Sequence, residues 1–211
     1  MGAEGGPAAE AAAAAFRGEL IVFPTDTVYG IGTRSDDRDA TDRLFEAKHR
    51  PRDLTLPVLV PTREAARAVA RFDERVERIA LGTWPGPVTF VLPRTPRSAG
   101  WSLGGDEATI GVRIPAHPLA LAILAASGPL AVTSANRSGA PPATTCDELE
   151  DAFGALVRVY LCSDEPLVGA SSTVVDLTGH APAVLREGAV TADELVRLWA
   201  GEDPLLDSGP S

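Results

Sequence analysis

The apolar residues of this chain fall in short runs, each emptying into a turn of prolines, glycines and small polar side chains, and that alternation restricts what it can fold into. Glu19 to Phe23 (ELIVF) is stopped by Pro24, and Leu56 to Val60 makes a second such run. Runs of this length bounded by turn residues read as buried β-strands. The same pattern predicts strands at 88–92, 109–114, 130–133, 156–161, 171–177 and 182–186. Between them apolar residues recur at helical spacing. Ala40, Leu44 and Ala47, with Phe45 beside them, predict a helix over about 36–48, with Ser35 and Asp36 as N-cap candidates. Ala65, Val69, Phe72, Val76 and Ile79 predict one further helix whose five arginines form a solvated face. Helices are also expected at 117–126, 146–153 and 191–199. The last two open on capping boxes, Thr145 with Glu148 and Thr191 with Glu194, the second flanked by Val190 and Leu195 as a hydrophobic staple. This mixture predicts an α/β fold, a twisted mixed sheet with helices packed against it.

A chain of 211 residues without a compositional break is expected to form one domain, over 18–199. The Ala-rich segment 1–17 is expected to be a frayed tail running into a helix that ends near Gly18, since alanine favours helix but offers little to pack. The tail 200–211 is expected to be disordered. No apolar run nears the ~20 residues of a membrane span, and the first residues match neither a secretory nor a transit peptide. No membrane partner and a cytoplasmic location are therefore expected. Cys146 and Cys162 read as two ordinary thiols, and with only His49, His117 and His180 no metal-ligand spacing appears, so no structural metal is expected. A net charge of −10 opposes a surface that grips nucleic acid by its phosphates. Six carboxylates from Glu187 onward face Arg197 alone, so the middle of the chain can still hold a locally basic pocket.

No Walker lysine, HExxH or GxSxG is present. What remains is a set of polar loops directly after apolar strands, where α/β sheets hold ligands. Pro24-Thr-Asp-Thr-Val-Tyr-Gly30 packs hydroxyls and a carboxylate into a turn, with Gly30 and Gly32 allowing close backbone approach. The bland alternative is a self-capped turn. Lys48-His-Arg50-Pro-Arg52 sets three cations within five residues, suited to a polyphosphate or carboxylate, or else simply closing a helix against its dipole. Of nineteen basic residues Lys48 is the one lysine. Thr133-Ser-Ala-Asn136-Arg-Ser138-Gly139 offers hydroxyl, amide and backbone donors to a phosphate or ribose. Arg113, Ser171 to Thr173 and Arg186 sit near the ends of other expected strands. The Gly- and Ser-rich stretch 95–108 is a candidate lid, and Trp84-Pro-Gly-Pro87 a stiff turn behind the pocket.

PTDTVYGIG, KHRP, WPGPVT, GVRIPAH, TSANRSG, SSTVVD and LREG occur in that order. Over about Gly18 to Leu198 the chain thereby resembles the bacterial and archaeal threonylcarbamoyl-AMP synthases, in their short form without an added C-terminal domain. The resemblance implies an open sheet with helices around a central positively charged cavity. It implies condensation of L-threonine, bicarbonate and ATP, the ATP carrying Mg²⁺, into threonylcarbamoyl-AMP and pyrophosphate. The product would go to a transferase machinery acting on tRNA, so that the tRNA link is indirect. By motif position, Lys48 and Arg50 are the catalytic residues and hold phosphate or bicarbonate. Ser134, Asn136, Ser138, Ser172 and Arg186 hold the nucleotide. Thr25, Thr27, Tyr29 and Thr133 shape the threonine site, with Arg113 on its carboxylate and His117 a less secure contact. Many relatives continue KxRP with a second lysine, where this chain has Asp53-Leu54-Thr55-Leu56, and Arg52 is the candidate substitute. The rival implications are a carbamoyl-adenylate-forming carbamoyltransferase domain and a non-catalytic RNA-binding module of the same fold.

Overall fold

The computed structural model describes residues 5–201. Its strands are β1 (Leu20–Phe23), β2 (Gly30–Arg34), β3 (Val58–Leu59), β4 (Val88–Pro93), β5 (Thr109–Arg113), β6 (Leu130–Ser134), β7 (Val157–Tyr160), β8 (Thr173–Asp176) and β9 (Ala183–Arg186). They form one open sheet in the order β7-β1-β2-β6-β3-β5-β4-β8-β9. The sheet is mixed: β1 runs antiparallel to β2 but parallel to β7, and β4 antiparallel to β5 but parallel to β8. The helices are α1 (Pro7–Phe16), α2 (Arg38–Lys48), α3 (Arg63–Val69), α4 (Glu74–Thr83), α5 (Pro118–Ser127), α6 (Cys146–Phe153) and α7 (Ala192–Ala200). Both expected capping boxes are formed. No helix among the described residues is long and apolar enough to cross a membrane.

The sheet buries both faces by the two-residue alternation of its strands. In β1, Leu20 and Val22 point into a large core with Leu44 and Phe45 of α2, Val76 and Ile79 of α4, Leu149 of α6 and Leu195 of α7. Ile21 and Phe23 point the other way, into a smaller core closed by α1 and α5. The members of this second core come from β7, β1, β6 and β3. On β5, β4 and β8 the same face carries no helix among the described residues, and that stretch of sheet becomes the floor of the cavity described below.

Several local expectations give way to stronger interactions. Asp37, rather than Ser35 or Asp36, caps α2, its carboxylate accepting from Ala40 N at 3.1 Å. The single helix expected through Ala65–Ile79 is two, because Ala70 leaves α3 in extended geometry to bridge Arg94, and Asp73 starts α4 by capping Arg75 N and Val76 N. Its arginines are not simply a solvated face: Arg67 pairs with Glu77 at 2.5 Å, Arg71 donates to Arg94 O, and Arg75 and Arg78 reach His180 O and Trp199 O. Gly30 to Gly32, read as loop, belong to β2. The candidate lid 95–108 is tied down by Arg94, which donates to Ser98 O and Trp101 O, by Ser98 Oγ on Val69 O, and by Leu56 N on Leu103 O. Cys146 and Cys162 are not free thiols but a disulfide, linking the start of α6 to the loop after β7. The pairing needs the loop after β7 to fold back to the start of α6, which a separation of sixteen residues does not announce.

The alanine segment packs instead of fraying: Ala11, Ala12, Ala14 and Ala15 are buried against α5, their lack of bulk allowing two helices to lie close. The expected disorder after Ala200 falls, apart from Gly201, outside the described residues. Close packing of small side chains makes α1 intolerant of added volume. Ala14→Leu should lower unfolding free energy in urea by about 1–3 kcal/mol, while Ala13→Leu on the exposed side of the same helix should be close to neutral.

Candidate active site

The strand order brings the polar loops to one place. Gly30 of β2 lies opposite Ser134 of β6, so the loop entering β2 and the loop leaving β6 emerge side by side, joined by Ala135 N on Tyr29 O at 2.7 Å. Neither glycine in β2 has room for a side chain, since a Cβ on Gly30 or Gly32 would stand 2.8 or 2.7 Å from Val132. Within the first loop Thr25 Oγ1 donates to Val28 O at 2.6 Å and accepts from Thr27 N, and the two threonine hydroxyls lie 3.0 Å apart. Tyr29, 1% exposed, accepts from Ser163 N through its hydroxyl.

These loops and the bare sheet face enclose a cavity of about 600 Å³, within the usual range for small-molecule sites. Thr25, Thr27, Tyr29, Thr133 and Ser134 line one side, Ser172 and Arg186 another, and Arg50 and Arg113 complete the basic residues of the wall. Arg113 is fixed by its surroundings: Nε donates to Gly86 O, Nη1 to Thr27 Oγ1 at 3.0 Å and Nη2 to Asp26 Oδ1 at 2.6 Å. The WPGP turn is therefore part of the site's support, with Trp84 stacked on Phe90 at 4.3 Å and its indole donating to Val88 O. Arg186 donates twice to Ser172 O and once to Ser172 Oγ, which also meets Thr89 Oγ1 at 3.1 Å. Arg50 donates to Thr55 O and Leu54 O. Burial pulls all three guanidinium groups below their ordinary range. The charge of Arg186 adds to this at Arg50 and Arg113, while Asp26 opposes it at Arg113. Like charges held together in partial burial favour an anionic ligand.

Lys48 is placed differently from its neighbours in the motif. Its side chain is 1% exposed and lies beneath the cavity wall, Nζ donating to Ser134 O at 2.6 Å and to Asn136 O, with Asn136 Oδ1 at 3.4 Å. Asn136 is turned inward toward Ser134 Oγ and Lys48, and the exposed Ser138 gives its backbone N–H to Lys48 O. Lys48, Asn136 and Ser138 thus brace the β6 loop and do not line the cavity. Arg52 points away, paired with Asp42 at 2.6 Å and over the Phe45 ring, so it does not fill the place of the missing lysine. Leu54 and Asp53 line the wall there. His117 stands at the N-cap of α5, off the cavity, with Nδ1 buried and without a hydrogen-bond partner among the described residues.

The sequence reading missed Asp26, which anchors Arg113, and the wall residues Thr89, Thr109, Gly111, Val174 and Asp176. The signal was available: stepping back by two from Arg113 along β5 gives Gly111 and Thr109, and stepping forward from Ser172 gives Val174 and Asp176.

With this geometry in hand, the Sua5/YciO/YrdC family model, described as telomere recombination, matches residues 14–188. The chain belongs to this family. A Mycobacterium tuberculosis relative is 38% identical over 182 residues, spanning 86% of this chain and 83% of that one. The threonylcarbamoyl-AMP synthase of Shigella boydii is 37% identical over 165 residues, 76% of this chain and 86% of its own length. Among solved structures, Pyrococcus abyssi Sua5 complexed with L-threonine matches with a TM-score of 0.82 at 34% identity, covering 90% of this chain but only 56% of that one. The motif order that suggested the family and the fold that carries it therefore agree.

Burial, with Arg50 alongside, pushes the Lys48 ammonium down to about 7 from 10.5. The unfolded chain then holds a proton that the folded one releases between about 7 and 10.5. Stability should rise with pH across this window relative to a Lys48→Met variant, and the difference should be flat below it, as read from urea midpoints at pH 6, 8 and 9.5.

Proposed function

We propose that this chain is an L-threonylcarbamoyladenylate synthase, joining L-threonine, bicarbonate and ATP into threonylcarbamoyl-AMP with release of pyrophosphate. The observation that carries the reading is the cavity's arrangement of fixed cations: Arg113 pinned beside Thr27 and Tyr29, and Arg50 and Arg186 in the same wall beside Ser134 and Ser172. A bidentate guanidinium matches the threonine carboxylate, and Arg113 keeps N–H groups beyond those it spends on Asp26, Thr27 and Gly86. Thr25, Thr27, Tyr29 and Thr133 then bound the amino-acid side chain and the incoming carbon.

In the first step the amine of threonine adds to the carbon of bicarbonate, the N–C bond forming as a C–O bond breaks and water leaves, which yields a carbamate. In the second, a carbamate oxygen attacks the α-phosphorus of ATP and pyrophosphate leaves. The ATP enters as its Mg²⁺ complex, the ion held largely by the substrate's own phosphates. No covalent enzyme intermediate is required, so the protein's contribution is positioning and charge neutralisation. Arg50 and Arg186 neutralise the phosphates, Ser134 and Ser172 give hydroxyls to the nucleotide, and Lys48 with Asn136 and Ser138 holds the β6 loop against it. Carbamates decompose in water, and a walled cavity slows that loss. We place the enzyme in the cytoplasm, its product passing to a transferase that acts on tRNA.

Pyrophosphate release should require ATP, threonine and bicarbonate together, and release that persists without threonine would overturn the reading. Arg113→Ala should raise the KM for threonine and lower kcat/KM by about 10–100-fold, the size of a lost charge-assisted pair. Arg113→Lys should restore little, lacking the planar fork.

A further inference from the structure

The disulfide lies between two segments that build the cavity. Cys146 is the first residue of α6, and upstream of it the chain runs back to the β6 loop. Cys162 follows β7, and downstream of it Ser163 to Ala170 are exposed apart from half-buried Leu167. Besides the disulfide, its anchors among the described residues are two backbone hydrogen bonds, one close contact and the packing of Leu167 on the large core. Ser163 N donates to the Tyr29 hydroxyl at 2.9 Å, and Leu167 N donates to Thr144 O at 2.8 Å, two residues before Cys146. Gly169 lies flat on the first loop, where a Cβ would stand 2.0 Å from Thr27 O. Immediately beyond, Ser171 and Ser172 line the cavity. The segment therefore touches Tyr29 at its start and Thr27 near its end, and the stretch 144–146 is what holds it from outside.

We propose that the Cys146–Cys162 bond is a reversible thiol-modification site, through which a dithiol reductant loosens the segment that seats Thr27 and Tyr29 and so weakens the binding of threonine. Both cysteines are partly exposed, Cys162 while packing against the large core. A thiolate of the dithiol attacks the sulfur of Cys162, and the electron pair of the broken S–S bond leaves on Cys146. The helix N-terminus stabilises that leaving thiolate. The second thiol of the reductant then displaces Cys162. The protein gains two electrons and two protons as a pair of thiols, and the dithiol becomes a disulfide. In a cytoplasmic chain such a bond is more often a redox-responsive device than a permanent staple.

The inference rests on the proposed synthase activity for its kinetic arm and is independent of it in its structural arm. The full chain is prepared oxidised with glutathione disulfide and reduced with dithiothreitol, thiols are counted, and pyrophosphate release is followed against threonine concentration. Reduction should raise the threonine KM several-fold with a smaller change in kcat, and reoxidation should reverse it. The double variant Cys146→Ser, Cys162→Ser should keep the high KM and ignore reductant, as a structural loss of the whole fold would not. In parallel, limited proteolysis should cut within 163–170 faster after reduction. Equal KM and equal cleavage rates in the two states would overturn the proposal, as would two free thiols persisting after oxidation. Absence of pyrophosphate release in either state would count against the synthase reading alone, and the cleavage rates would then decide this one.

Discussion

The pairing of β2 with β6 is the contact on which the rest of the site depends. Val132 occupies the space that side chains at Gly30 and Gly32 would need, which holds the two strands in one register with Gly30 opposite Ser134. A slip by one residue would turn Val132 to the opposite face and separate Tyr29 from Ala135. In the observed register the hydroxyl-rich loop before β2 and the amide-rich loop after β6 leave the sheet together. Lys48 then fastens the second loop from below, so three motifs that are far apart in sequence act as one rigid edge.

The cavity exists because one layer of the fold stops short. Helices α1 and α5 cover the sheet from β7 to β3, and the same face of β5, β4 and β8 is left to polar and small residues such as Thr89, Thr109, Gly111 and Ser172. The opposite face of those strands keeps its apolar set, Phe90, Ile110, Val112 and Val175 among them. Stability and ligand binding thus draw on alternate residues of the same strands. The cost of grouping buried Arg113 with the more exposed Arg50 and Arg186 is met by backbone carbonyls that accept from each and by Asp26, which pairs with Arg113.

Much of this could be read from the chain before its structure. The short apolar runs located eight of the nine strands, and Thr145–Glu148 and Thr191–Glu194 marked two helix starts, because these are local signals carried by neighbouring residues. β2 was hidden, since Gly-Ile-Gly has the composition of a turn and becomes a strand by pairing with β1 on one side and β6 on the other. The division of α3 from α4 depended on a bridge to Arg94, and the bond between Cys146 and Cys162 on the chain folding back across α6 and β7. For the site, Thr25, Thr27, Tyr29, Arg50, Arg113, Thr133, Ser134, Ser172 and Arg186 do meet around one cavity. Lys48 lies beneath that wall, with its Nζ on carbonyl oxygens of the β6 loop, a placement its charge alone did not announce.

The topology also bears on how the chain reaches this state. α1 rests on α5, which begins only at Pro118, and β1 takes its parallel neighbour from β7, which begins at Val157. As the polypeptide leaves the ribosome, its first helix and first strand must wait, apolar and unpaired along one side, for most of the sequence to be made. Loop-closure entropy of that order slows the final docking step. Until Val157 and the residues after it are in place, β1 keeps one unpaired edge, the kind through which partly folded chains associate.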